Sequence, residues 1–263
     1  LELYSYVLGK ALMTTVCTNK LTRLISMMNT ELKPVKGLIW KHFSPAGERM
    51  FFTEENAMRI DAIRIAIQEL YTCRKITYKE MLFLLASLMT GCSKSANSAS
   101  CFRAYLKQFC PRSLKPFVLC PIHKYTMKQL KQHKSFKDDA CNVAKTEPMD
   151  VVYLDPPYNA NHYGGYYSFY NYLLMYNENV EISGVAGVTK FYNKSEFGLK
   201  AQCKEAFLRL LGHLHHNTQF AAVSYNSDGV LKLTDLTDML KKHGKVDVYK
   251  TINKKFRPNE KVK

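Results

Sequence analysis

Asp155, Pro156, Pro157 and Tyr158 follow one another and bring together residue types that can do chemistry as a group. The aspartate is a hydrogen-bond acceptor, the prolines fix a backbone carbonyl beside it, and the tyrosine adds a flat aromatic face. An acceptor, a rigid carbonyl and a stacking ring suit a planar substrate with an exocyclic amine, and adenine is such a substrate. Asp150, Val151, Val152, Tyr153 and Leu154 form the short apolar run expected of a buried parallel strand. Two prolines deny that strand further ladder donors, so it must stop there. Asp155 is therefore expected at the carboxyl end of a strand, where open α/β sheets bind ligands.

The surrounding elements follow from periodicity. Leu1 to Asn29 reads as helix, and Thr53 to Asn56 reads as an N-terminal cap for a helix through Ala57 to Ile67. Thr77 to Met89 repeats the helical signal, with Lys79 and Glu80 at its start. Residues 1–124 are thus expected to be mostly helical, with the helical insert proper spanning 10–124. From Asp138 the pattern turns to strand–helix alternation, which gives 125–263 an α/β character. Its candidate strands are Val151–Leu154, Phe220–Ser224 and Val246–Thr251, with helices around Lys200–Leu214 and Thr234–His243 between them.

Together these residues resemble the adenine-N6 DNA methyltransferases of restriction–modification type. Strand plus Asp-Pro-Pro-Tyr is similar to motif IV of that family. Downstream, Asn159, Asn161, His162, Tyr163 and Gly164 lead into a helix-like Tyr170–Leu174, and Phe220 to Gly229 is a second strand ending in a polar turn. Upstream, Leu84–Leu88, Lys94–Ala99 and Tyr105–Lys107 stand in similar order and spacing. The resemblance covers nearly the whole chain. It implies an α/β, Rossmann-like fold that uses S-adenosylmethionine, with a largely helical inserted region that carries DNA recognition.

The same resemblance assigns roles. Asp155 and the Pro156 carbonyl would hold the hydrogens of a flipped-out adenine amine, Pro157 would stiffen the loop, and Tyr158 would stack on the base. Tyr225, in Ser224-Tyr225-Asn226, matches a position near the base pocket, although a strand-end core aromatic is an equal reading. Asp139, sixteen residues before Asp155, matches an acid that contacts the cofactor adenine; a helix N-cap is an equally comfortable and compatible reading. Asp155 also borders the cofactor. Tyr163, Tyr166 and Tyr167 could grip an extruded base or its neighbours, with Gly164 and Gly165 leaving the loop free to move, whereas Tyr170 and Tyr172 read as core. Cytosine-N4 and glutamine-N5 methyltransferases share this geometry but replace the aspartate by Ser or Asn, so Asp155 favours adenine.

Family members open with a phenylalanine-glycine-rich cofactor loop and a strand ending in Asn-Asp. Leu1 to Leu8 resembles the helix after that pair, so the expectation is a chain whose first strands are missing and which binds cofactor weakly by itself. An inactive remnant that only binds nucleic acid is the alternative. A permuted order is disfavoured, because Lys254 to Lys263 contains no glycine.

Net charge is +16, which favours polyanionic partners, double-stranded DNA first. Lys124, Lys128, Lys131, Lys134 and Lys137 are spaced by four, three, three and three. They would form one phosphate-tracking stripe on a helix and would scatter on a strand or loop. A restriction endonuclease acting on the same site is the further partner that the resemblance suggests. Hydrophobic residues make up 46% of the chain, which argues against disorder. The longest strongly apolar run, Met81 to Met89, is too short to cross a bilayer. A soluble cytoplasmic protein without a membrane partner is the expectation. Cys92, Cys101, Cys110 and Cys120 are separated by eight or nine intervening residues, and Cys120 with His123 is the one metal-like pair. Reduced thiols and no metal are expected.

Overall fold

The computed structural model describes residues 2–98, 101–123, 133–190, 192 and 194–251. Among them the chain forms, in order, α1 (Leu3–Thr14), α2 (Asn19–Thr30), α3 (Leu38–Phe43), α4 (Glu54–Thr72), α5 (Tyr78–Ser95) and α6 (Pro111–Leu114). Then follow α7 (Ala140–Thr146), β1 (Met149–Leu154), α8 (Tyr163–Tyr166), α9 (Ser168–Met175), β2 (Ile182–Ser183) and β3 (Val188–Thr189). The last three are α10 (Cys203–Asn217), β4 (Thr218–Val223) and α11 (Leu233–Lys241). The chain is a mixed α/β protein with a parallel sheet.

Caps set the helix starts. Thr53 accepts from the Asn56 N–H and begins α4 where expected, while Thr77 and Glu80 form a reciprocal capping box on α5. The single helix expected over Leu1 to Asn29 is instead two. Thr14, Thr15, Val16 and Thr18 make a β-branched run that disfavours helix, and Thr18 caps α2 by accepting from Leu21.

Two hydrophobic cores result among the described residues. The first gathers α1 to α5 around Ile60, Ile63, Phe83 and Leu88, with an aromatic cluster of Phe43, Phe51, Phe102 and Phe169. Phe102 and Phe169 stack at 4.1 Å and 14°, so α9, although it follows the strand β1, packs into the helical core. The second core packs α7, α10 and α11 on one face of the sheet through Phe207, Leu210, Leu211 and Met239.

β1 pairs with β4 in parallel, Val151 against Phe220 and Leu154 against Val223. The inward residues Val152, Leu154 and Val223 meet the second core. The opposite face is open: Val151, Tyr153 and Phe220 are 65%, 66% and 68% exposed. The third expected strand, Val246–Thr251, is irregular, because no described residue pairs with it and it buries little; Tyr249 is 89% exposed. A small antiparallel hairpin, β2 with β3, adds to the expected elements. Gly184 turns it at φ +70°, a left-handed conformation natural to glycine, and Arg49 clasps it through the carbonyls of Gly184 and Val185.

Two buried side chains on α4 lock α9 in place. Asp61 accepts from the N–H groups of Gly37, Ile39 and Trp40 at the start of α3, and from the Tyr176 hydroxyl at 2.7 Å. Burial pushes its carboxyl above the ordinary value, and those four donors pull it back. One turn on, Arg64 donates to the carbonyls of Leu173 and Leu174, both at 2.9 Å. These are last-turn carbonyls of α9, so a cation meets the negative end of the helix.

Candidate active site

The site is built where β1 and β4 end side by side. Ser224 donates its N–H to the Leu154 carbonyl at 2.9 Å, continuing the ladder one residue past β4. Asp155 follows at once and is exposed, while Pro156, Pro157 and Tyr158 are half-buried. The prolines turn the chain away from the ladder, as their missing N–H groups require. The Tyr158 carbonyl then accepts from Val230 N–H at 2.8 Å, tying this loop to the one after β4.

The two tyrosines named from sequence are brought together. Tyr158 meets Tyr225 edge to face, with centroids 6.4 Å apart and planes at 76°. Tyr225 is itself fixed on three sides. Its hydroxyl accepts from Leu231 N–H at 3.1 Å, Phe207 packs against its ring at 6.0 Å, and a Cβ on Gly229 would meet the ring edge at 2.3 Å. Burial raises the Tyr225 phenol above its ordinary value. Tyr225 is thus both a core aromatic and a buttress for Tyr158.

Beyond Tyr158, the Asn159 side chain accepts from Asn161 N–H at 3.0 Å and closes a tight turn. A Cβ on Gly198 would lie 2.6 Å from the Asn159 carbonyl oxygen, so only glycine fits beneath that turn. Tyr163 opens α8 with an exposed ring. Burial raises its phenol first, and the negative charge of nearby Asp155 adds to that. Tyr163 stacks on Tyr167, and Tyr167 on Tyr170, each at 6.1 Å and 13°. The ladder descends from the carboxylate into the first core, where Tyr172 is fully enclosed, as its reading as core expects. Arg103 lies over Tyr166 at 4.8 Å. Gly164 and Gly165 do not form a free loop. Both are buried in α8, and a Cβ on Gly164 would approach Tyr192 at 2.7 Å.

Asp139 is the N-cap of α7, accepting from Cys141 N–H at 2.8 Å. Asn217 donates to the Ala144 carbonyl and joins that helix to the end of α10. Lys134 and Lys137 lie in irregular chain over 133–137, so they do not share a helical stripe. Lys134 pairs with Glu147 at 2.8 Å, and Lys137 is exposed. Lys124, Lys128 and Lys131 lie outside the described residues. His123 is buried and bonds the Ala11 carbonyl, and the eight cysteines are free thiols. Val230, Phe207 and Gly198 escaped sequence reasoning, since their roles depend on contacts between distant segments.

A family profile described as D12 class N6 adenine-specific DNA methyltransferase matches residues 2–239, a span that includes every element of this site. The chain belongs to that family. Among curated proteins it is 34% identical over 261 residues to "Type II methyltransferase M.CviAII" of Paramecium bursaria Chlorella virus 1, covering 98% of this chain and 76% of that protein. It is 31% identical over 266 residues to "Type II methyltransferase M.NlaIII" of Neisseria lactamica, covering 99% and 77%. "Modification methylase LlaI" of Lactococcus lactis subsp. lactis is 28% identical over 205 residues, 78% of this chain and 32% of that one. No solved structure matches the chain significantly. Methylation of adenine N6 in DNA is the activity of the D12 class. No helix among the described residues is long and apolar enough to cross a membrane.

Proposed function

We propose that this D12 methyltransferase acts on an adenine flipped out of duplex DNA, with S-adenosylmethionine as methyl donor and the loop Asp155–Tyr158 as its catalytic centre. The observation that carries the reading is the exposed Asp155 at the end of β1, beside a Tyr158 held to the loop after β4. The amine of adenine is a weak nucleophile, because its lone pair is delocalised into the ring. The Asp155 carboxylate accepts one amine hydrogen and the Pro156 carbonyl the other, which turns the nitrogen lone pair outward. The Tyr158 ring stacks on the base, and Tyr225 keeps that ring upright. Pro157 holds the loop stiff, so catalysis is mainly orientation. A base inside the stack cannot offer its amine in this way, so extrusion precedes transfer.

S-adenosylmethionine, when bound, would supply a methyl from its sulfonium, whose sulfur leaves as a neutral thioether, and the proton then shed by the methylated amine would pass to the Asp155 carboxylate and on to solvent. Two of the residues present fit part of such a group in their chemistry. Asp139 and Asp155 are exposed carboxylates flanking α7 and β1, and the cofactor offers amine and hydroxyl donors to them. Asp139 would hold the cofactor adenine with the oxygen not engaged as the cap of α7. A Rossmann-like arrangement is supported by the parallel β1–β4 pair and its helical cover on one face.

Residues 1–124 are the DNA-recognition region in this reading, and 125–263 the catalytic region, with α9 returning to brace the first. Lys124, Lys128, Lys131 and Lys137 add phosphate contacts singly rather than as a stripe, with Lys134 joining them where a phosphate displaces Glu147. A restriction endonuclease of the same sequence specificity is the expected companion, because the relatives are named as type II and modification enzymes. The test is Asp155→Ala: methyl transfer disappears while duplex affinity stays within a few-fold, since phosphate contacts supply most of it. Transfer at a comparable rate by that variant would remove Asp155 from the mechanism.

A further inference from the structure

Lys94, Arg112 and Lys115 line one cleft of about 190 Å³, floored by Pro116, Phe117 and Pro121. No Asp or Glu lines it among the described residues, and all three cations are exposed. The chain that carries Arg112 and Lys115 is held by two buried asparagines. Asn97, fully enclosed, donates to the carbonyls of Met50 and Leu106 and accepts from Cys110 N–H. Asn56, 3% exposed, donates to the carbonyls of Ser113 and Lys115 and accepts from Phe117 N–H at 2.8 Å. Arg112 itself donates to the Ser98 carbonyl at 2.7 Å. Gly91 lets the Phe117 ring lie against α5, because a Cβ there would sit 2.8 Å from the ring.

Irregular surface segments are ordinarily mobile. Here two asparagines with their donors and acceptors engaged fix the backbone on both sides of Arg112 and Lys115. The residues so presented are cations with no carboxylate beside them in the cleft. Like charges gathered in one concavity repel, and an anion seated among them relieves that repulsion. Arg112 offers a planar fork that suits a phosphate in two-point contact, and the lysines offer point charges. Pre-fixed walls keep the ordering cost of binding low. Cations aimed at phosphate oxygens supply affinity and placement rather than sequence choice.

We propose that this cleft is a phosphodiester-binding site that holds the DNA strand against the helical part of the molecule. The proposal rests on DNA being the substrate and names a site separate from the Asp155 loop.

The experiment is a salt series of duplex binding by the full chain carrying Lys94→Gln, Arg112→Gln and Lys115→Gln, with a control carrying Lys200→Gln, Lys204→Gln and Lys242→Gln. Folding is checked by circular dichroism, and all six positions are exposed. Each lost phosphate contact flattens the plot of log affinity against log salt by about 0.9, so two or more contacts flatten it by about 2 in the cleft variant. The control keeps the original slope, and in turnover the cleft variant's loss falls on KM for DNA. An unchanged slope in the cleft variant, or equal flattening in the control, overturns the proposal. Inorganic triphosphate, followed by NMR, separates a free-nucleotide site from a DNA site. Loss of triphosphate binding with an unchanged duplex slope would also overturn it. Failure of the unsubstituted protein to methylate would count against the functional reading alone, since the salt slope decides the cleft by itself.

Discussion

Asp155 gains its position from its neighbours rather than from contacts of its own. A strand delivers it, two prolines end the ladder, and the Tyr158 carbonyl bonded to Val230 holds the loop's far side. Tyr158 in turn depends on Tyr225, and Tyr225 on the space left by Gly229. Gly229→Ala therefore forces the Tyr225 ring aside, at about 1–3 kcal/mol of overpacking strain. Turnover is expected to fall further than stability alone explains, read by comparing kcat with the urea midpoint. If kcat is unchanged while stability drops, Tyr225 does not buttress the site. The acceptor, the rigid carbonyl and the ring were all legible in the sequence, because one tetrapeptide encodes them with the strand before it. The buttress was half legible: Tyr225 could be named, but its clamp by Leu231, Phe207 and Gly229 depends on how the chain after β4 folds back.

At the scale of elements, α9 is the piece that links the two cores. It follows the catalytic loop in sequence yet packs among the first helices, held by Arg64 across 109 residues. Arg64→Met keeps much of the volume and removes both charged bonds to the α9 carbonyls. A loss of about 3 kcal/mol is expected from such buried, charge-assisted bonds, measured as a lowered urea midpoint at unchanged slope. A change below 0.5 kcal/mol would show that Arg64 does not anchor α9. Such a link cannot be read from periodicity, which reports which face of an element is apolar but not what lies across from it. That limit also explains the strand expected at Val246–Thr251. Its alternation is real, but a strand exists only against a partner, and none of the described residues provides one. Where the signal is local, as in Thr53 before α4 and Thr77 before α5, element starts were placed within a residue or two.

Across the whole molecule, apolar surface is distributed unevenly. The sheet packs its inner face on Phe207 and Leu211 and leaves Val151, Tyr153 and Phe220 open to solvent. Phe220→Ser is therefore expected to change stability by less than about 0.5 kcal/mol, as exposed substitutions do. Leu211→Ala, in the second core, is expected to cost about 2–5 kcal/mol. A large loss from Phe220→Ser would mean that something covers that face in solution. The charge of +16 acts on the same scale and draws the molecule to a polyanion whatever its sequence. Specific chemistry remains with the loop at the end of β1. The most direct test is mass spectrometry of the nucleosides released from duplex DNA incubated with the protein and S-adenosylmethionine. N6-methyldeoxyadenosine is the expected product, absent with Asp155→Ala. Methylated cytosine in its place, or N6-methyladenine formed equally well without the Asp155 carboxylate, would contradict it.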